Sequence, residues 1–221
     1  MSTGNALREA ILQRIRTSLR DVPPDEQPEH VAVERNYRHS GTETREEVLE
    51  RFIERVAEYK VTVHRVEESS LQQAIATACT ARGVQRLVIP ADLPEHWLPA
   101  NIELLRDSNT LTNEQLDASD GVLTGCALGI AQTGTIVLDD GAHQGRRAIT
   151  LLPDYHLCVI YADQIVDLVP EAIVRLHNAV LHERRPITFI SGPSATSDIE
   201  LNRVEGVHGP RTLHVLVVNN R

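Results

Sequence analysis

The sequence predicts an α/β fold, a mostly parallel sheet with helices on both faces. Three observations carry this. Helix-period stretches alternate with short apolar runs along the chain. Two of those runs, Leu87-Val88-Ile89 and Leu213-His214-Val215-Leu216-Val217-Val218, are nearly continuous, as in strands covered on both faces. Aromatic residues make up only 3% of the 221 residues against 41% hydrophobic overall, so the core is built from Leu, Ile, Val and Ala.

Each element follows in order. Leu7, Ile11, Leu12, Ile15 and Leu19 share one helical stripe, which predicts an amphipathic helix over 5–20. That stripe needs cover, from the main body or from another copy. Pro23, Pro24 and Pro28 stand amid charged residues, so 21–41 reads as an extended connector. Residues 1–43 are therefore expected to be a helical arm and connector, and 44–221 one α/β domain. Thr44 and Glu47 form a capping box for a helix over 44–59, with Leu49, Phe52, Ile53 and Val56 on its apolar face. Val61, Val63 and Val66 alternate as a strand. Ser69 or Ser70 caps the next helix, which turns Leu71, Ile75, Ala78 and Cys79 inward and ends at Gly83.

Residues 87–89 are a strand. Between 91 and 118, Pro94 and Pro99 interrupt the pattern, and Thr112 and Glu114 stand too close for a capping box. Residues 121–125 and 135–138 read as two strands around a Gly-rich turn, and 149–152 and 157–161 as two more joined through Pro153-Asp154. Pro170 starts a helix expected to face Ile173, Val174, Leu176, Ala179 and Val180 inward. Residues 186–191 read as a buried strand and 213–218 as the last.

Composition excludes several classes of function. A formal charge of −9 opposes binding to a nucleic-acid backbone, which needs a basic face. Cys79, Cys126 and Cys158 are odd in number, with no Cys-x-x-Cys, so the chain writes neither a disulfide framework nor a zinc or iron–sulfur cage. His64, His96, His156, His177, His182 and His214 show no metal-ligand spacing and read as structural or surface residues. The first residues lack an apolar signal core, and no run approaches the roughly 18 apolar residues of a membrane span. A soluble, reduced, cytoplasmic protein is expected.

Three polar constellations stand out. The first, Gly125 to Thr135, has glycines that admit close backbone approach and hydroxyls at Thr133 and Thr135, but its spacing matches neither a dinucleotide fingerprint nor a Walker loop. It serves equally as a crossover between two core strands. The second, Gly192-Pro193-Ser194-Ala195-Thr196-Ser197-Asp198-Ile199-Glu200, fits a capped helix start or an anion site. The third, Gly206-Val207-His208-Gly209-Pro210-Arg211, places a histidine that titrates near neutrality beside an arginine able to clamp a carboxylate; it also fits a plain turn. Arg146-Arg147, after His143, reads as a solvated charged hairpin. Cys126 has no adjacent base in sequence and reads as no nucleophile.

Ala131-Gln132-Thr133-Gly134-Thr135, the Leu152-Pro153 turn and the two C-terminal constellations together resemble the lactate-utilisation protein C family, defined by the LUD domain. The resemblance spans about 44–219. It implies a three-layer α/β/α fold like that of coenzyme A transferases, ribose-5-phosphate isomerase and glucosamine-6-phosphate deaminase. It also implies a role in oxidising L-lactate to pyruvate beside two iron–sulfur partner proteins, with no cofactor in this chain. The family commonly carries Glu where this chain has Gln132. An amide acts neither as base nor as nucleophile, which leaves that position a binding role.

The expectation is an accessory subunit that binds a small carboxylate. Gln132, Thr133, Gly134, Thr135, Ser194, Thr196 and Arg211 are its ligand-binding candidates; His208, Asp198 and Glu200 are the catalytic ones. Two alternatives stand beside it. One is a stand-alone enzyme or binding protein for a phosphorylated or coenzyme A-type ligand in a transferase-like cleft, with Asp198 and Glu200 as acid and base. The other is an interaction module that docks through the 5–20 helix.

Overall fold

A computed structural model describes residues 3–22, 33–108, 110–196, 204–205 and 209–219. It divides into two units, one ending at Tyr37 and one beginning at Arg38. The first contains α1 (Thr3–Ser18), extended by a bond from the Leu19 amide to the Ile15 carbonyl. Leu7, Ile11, Ile15 and Leu19 on its stripe are all exposed.

The second unit begins ahead of the expected 43/44 boundary because residues 38–43 are tied into it. The Gly41 amide donates to Glu171, and the Glu43 carboxylate takes a 3.0 Å bond from Arg51, which also pairs with the buried Asp167. Next come α2 (Arg45–Glu58), β1 (Thr62–Glu67), α3 (Leu71–Ala81), β2 (Arg86–Ile89), β3 (Glu103–Arg106), α4 (Asn113–Asp117) and β4 (Gly121–Thr124). After them stand β5 (Leu128–Ile130), β6 (Thr135–Leu138), β7 (Tyr155–Tyr161), β8 (Ile165–Val166), α5 (Val169–Leu181), β9 (Thr188–Ile190), β10 (Ala195–Thr196), β11 (Val204–Glu205) and β12 (Thr212–Asn219).

The main sheet has the order β1-β12-β7-β4-β2-β3, and every neighbouring pair in it is parallel. Its two faces are covered differently. On one, Leu71, Ile75 and Cys79 of α3 pack on Leu87, Leu123, Leu157 and Leu216. On the other, Val48, Leu49, Phe52 and Val56 of α2 meet Cys158, Ile160, Val215 and Val217. Those four α2 residues recur at helical spacing, and burying a side chain such as Phe52 stabilises by about 1.5–3 kcal/mol. The capping box that opens α2 forms as expected: the Thr44 amide donates to Glu47 Oε2 at 2.7 Å, and the Glu47 amide donates to Thr44 Oγ1. Gly83 ends α3 with φ of 67°.

A second sheet, not anticipated from the sequence, shares the α2 side. Its order is β8-β5-β6-β9; β6 runs antiparallel to both β5 and β9, and β5 parallel to β8. Residues 121–124 and 135–138 are therefore not partners. β4 belongs to the main sheet, and β6 pairs with β5 across the 131–134 turn. Residues 147–150 form a helical turn instead of the start of a strand, because Ile149 packs on Val88, Leu116 and Val122 rather than pairing its backbone. The box that caps α4 is Thr112 with Gln115, one residue beyond the pair considered from sequence.

α5 covers the outer face of the small sheet through Ala172 and Leu176, against Leu128, Ile130 and Val137. Ile173, Val174 and Val180, expected to face inward, are exposed. Apolar residues run around much of this helix, so periodicity alone did not select the face. β9 is an edge strand, and Phe189 on it is half exposed rather than buried.

Candidate functional site between the two sheets

A cavity of about 230 Å3 opens on the α2 side of the main sheet, where the first residues of β7 and β12 face the edge strand β9. Register places His156 beside Leu213 and Val122, so its side chain projects on that face. Arg147 and Thr150 come from the helical turn after β6, and Ser191, Gly192, Pro193 and Ser194 from the chain leaving β9. Gly209 and Pro210, just before β12, complete the wall.

Local bonds hold this arrangement. The Ser194 amide donates to the Pro210 carbonyl at 2.8 Å, which brings the second and third constellations together. Thr135 joins the first to them: its hydroxyl lies 2.7 Å from that of Ser191 and 2.8 Å from that of Thr133. Gly192 has φ of 93°, and a Cβ there would stand 2.6 Å from the Tyr59 Cβ, so the chain passes α2 only as glycine.

Electrostatically the cavity is a half-buried cation among hydroxyls. Arg147 donates to Thr150 Oγ1 at 2.8 Å and makes no ion pair among the described residues. Its charge is felt by Asp140 and, repulsively, by His156. His156 is buried, with Nε2 2.8 Å from the Thr124 hydroxyl. Burial first, and then Arg147, push its pKa down to about 4, so the ring is neutral at pH 7. A neutral imidazole that resists protonation is a poor general base and a good fixed wall. A guanidinium with no direct ion pair among the described residues, set among hydroxyls, suits a small carboxylate, which it can grip through two parallel bonds.

The candidate residues from sequence are distributed as follows. Thr135 and Thr133 meet the Ser191 corner; Ser194 lines the cavity. Gly134 has φ of 59° and lies against the α2 backbone at Arg55. The Gln132 side chain is exposed, while its amide donates to the Asp167 carbonyl. Thr196 sits on β10, opposite Val204. Arg211 points elsewhere and pairs with Asp154 at 3.0 Å on the surface. Asp198, Glu200 and His208 lie outside the described residues.

Arg147, Thr150 and His156 were missed. The Arg146-Arg147 pair is not a solvated hairpin: Arg146 binds Asp107 and the Leu111 carbonyl, and Arg147 enters the cavity. One signal was available, a basic pair directly after Gly145 in an acidic chain. The cysteines are buried and free. Burial and the neighbouring Cys158 push the Cys126 thiol well above its ordinary range, which removes it as a nucleophile. Among the described residues no group of three or more His, Cys, Asp or Glu is placed to hold a metal ion, and no helix is long and apolar enough to cross a membrane.

Comparison with known proteins adds lineage to this geometry. The LUD domain profile matches residues 49–218. Lactate utilization protein C of Deinococcus radiodurans is 48% identical over 79% of this chain and 81% of its own length. The protein of the same name from Geobacillus kaustophilus is 31% identical over 69% of this chain and 70% of its own. The crystal structure of a DUF162 family protein from Deinococcus radiodurans superposes with a TM-score of 0.70 at 42% identity, covering 80% of this chain and 99% of that one.

Proposed function

This chain belongs to the LUD domain family, and from that premise we propose that it serves lactate utilisation by holding a small carboxylate, lactate or pyruvate, over Arg147. One observation carries the reading: a half-buried arginine that makes no direct ion pair among the described residues, with Asp140 acting on it only through space, faces a hydroxyl-lined cavity in a chain of net charge −9. Arg147 grips the carboxylate. The hydroxyls of Ser191 and Ser194 orient the oxygen on the neighbouring carbon. His156 keeps that wall neutral and dry.

The cavity's size supports this ligand over a larger one. About 230 Å3 falls below the roughly 300–1,000 Å3 typical of cofactor and drug-sized sites, and well below what a coenzyme A-type ligand needs. The cavity's described titratable groups are a cation and a histidine whose conjugate acid is too strong for base chemistry at pH 7. Oxidation of lactate to pyruvate gives up two electrons and two protons. The acceptor we assign to the hydroxyl proton is His208, adjoining Gly209 in the chain. The hydrogen on the carbon leaves as two electrons, taken by the two iron–sulfur partner proteins that the family resemblance implies, and a proton released to solvent. The chain then acts as an accessory subunit that binds and positions.

Calorimetric titration of the purified protein with L-lactate and pyruvate tests this. Saturable binding that Arg147→Gln weakens by about tenfold or more, a typical loss for a charge-assisted contact, is the expected result. Heat with neither ligand, with or without partner proteins, or identical binding by Arg147→Gln, overturns it. His208→Gln is expected to leave binding in place and slow lactate oxidation by the assembled system.

A further inference from the structure

A second, larger cavity lies on the opposite face of the main sheet. It is a groove of about 600 Å3 between α3 and the edge strand β1. Its body is apolar: Val66, Ala74, Ala78 and Leu216 line it. The helix side carries small residues, with Thr77 and Ala81 exposed at the mouth, so α3 leaves the space unfilled.

Arg65 and Arg82 are the charged residues that line the groove, and among the described residues no Asp or Glu does; burial holds the His214 pKa down to about 4, so that ring is neutral at pH 7. Arg65 is already engaged, by Glu46 and by Asn219 at 2.7 Å. Arg82 is not: its guanidinium lies 4.9 Å from the centre of the Tyr155 ring and has no carboxylate partner among the described residues. Tyr155 bonds His214 Nδ1 at 3.0 Å, and the His64 and His214 rings stand 5.1 Å apart, tilted by 58°. Among the described residues His214 Nε2 is buried without a hydrogen-bond partner, a cost that a chain rarely carries in plain packing.

We infer that this groove binds an organic monoanion with an apolar body. The body lies on Ala74, Ala78 and Leu216, and the anionic group meets the Arg82 guanidinium at the rim. At about 600 Å3 the groove sits within the range of sites for ligands several times larger than lactate. The site shares no residue with the Arg147 cavity, so either can fail without the other.

Titration of the full chain with 2-naphthoate, and separately with 2-naphthylmethanol, tests the inference. Calorimetry is expected to show saturable binding of the acid and binding of the alcohol weaker by about tenfold. Thr77→Trp, which fills the mouth from an exposed helix position, abolishes both. Arg82→Gln reduces the acid to the level of the alcohol and leaves the protein folded, with at most the small loss of stability that follows from its contact with Tyr155. Binding that survives in folded Thr77→Trp, equal binding of acid and alcohol, an acid affinity unaltered by Arg82→Gln, or no saturable binding of the acid overturns it. Should Thr77→Trp fail to fold, the Arg82→Gln comparison decides.

Discussion

The hydroxyls of Thr135 and Ser191 stand 2.7 Å apart, across 56 positions of sequence. This bond joins the end of the Gly-rich turn to the chain leaving β9, and so sets one corner of the candidate cavity. Thr135 is buried and Ser191 is exposed, so removing either partner has different consequences.

Thr135→Val keeps the shape and deletes the hydroxyl. It is expected to destabilise by about 1 kcal/mol, the usual net worth of one bond. Ser191→Ala costs less, because water reaches the exposed position and Thr135 keeps its bond to Thr133, and the double variant costs no more than Thr135→Val alone, because the shared bond is lost only once. Urea denaturation measures all three; full additivity would sink the coupling.

His156 predicts a pH dependence. Its folded pKa is about 4 against 6.5 for the free side chain. The unfolded chain therefore binds a proton first on acidification. The stabilisation is fully present above pH 6.5 and is lost as pH falls from 6.5 towards 4. For a group this buried the loss is about 3 kcal/mol. His156→Gln is expected to flatten the stability curve in that window; an unchanged slope refutes the assignment.

Gly134 has φ of 59°, and a Cβ there would lie 2.6 Å from the Arg55 carbonyl carbon. Gly134→Ala therefore combines a left-handed residue with a backbone clash against α2. A loss of at least about 2 kcal/mol in chemical denaturation is expected. A loss under 0.5 kcal/mol would mean that the turn and α2 separate readily.

Burial pushes the Cys79 thiol up to about 11, and Cys126 well above its ordinary range. Both are buried, as is Cys158. At pH 8 an aromatic disulfide reagent is expected to label none of the three in the folded protein and all three in guanidinium. Fast labelling of Cys126 under native conditions would contradict the packing of its core.

Residues close together along the chain could be read directly. The capping box of Thr44 and Glu47, the apolar face of α2, Gly83 and the continuous runs of β2 and β12 depend on local spacing, and all form as expected. The α/β class, with helices over both faces of a parallel sheet, follows from those signals. What spacing does not encode is which strand meets which. β4 and β6 are nearby and equally apolar, yet they join different sheets, because burial rewards any apolar strand and register is settled by distant partners. The same limit hid the cavity. Arg146 and Arg147 are chemically identical neighbours, and only the fold gives one to Asp107 and turns the other, with no direct ion pair among the described residues, towards Thr150 and His156.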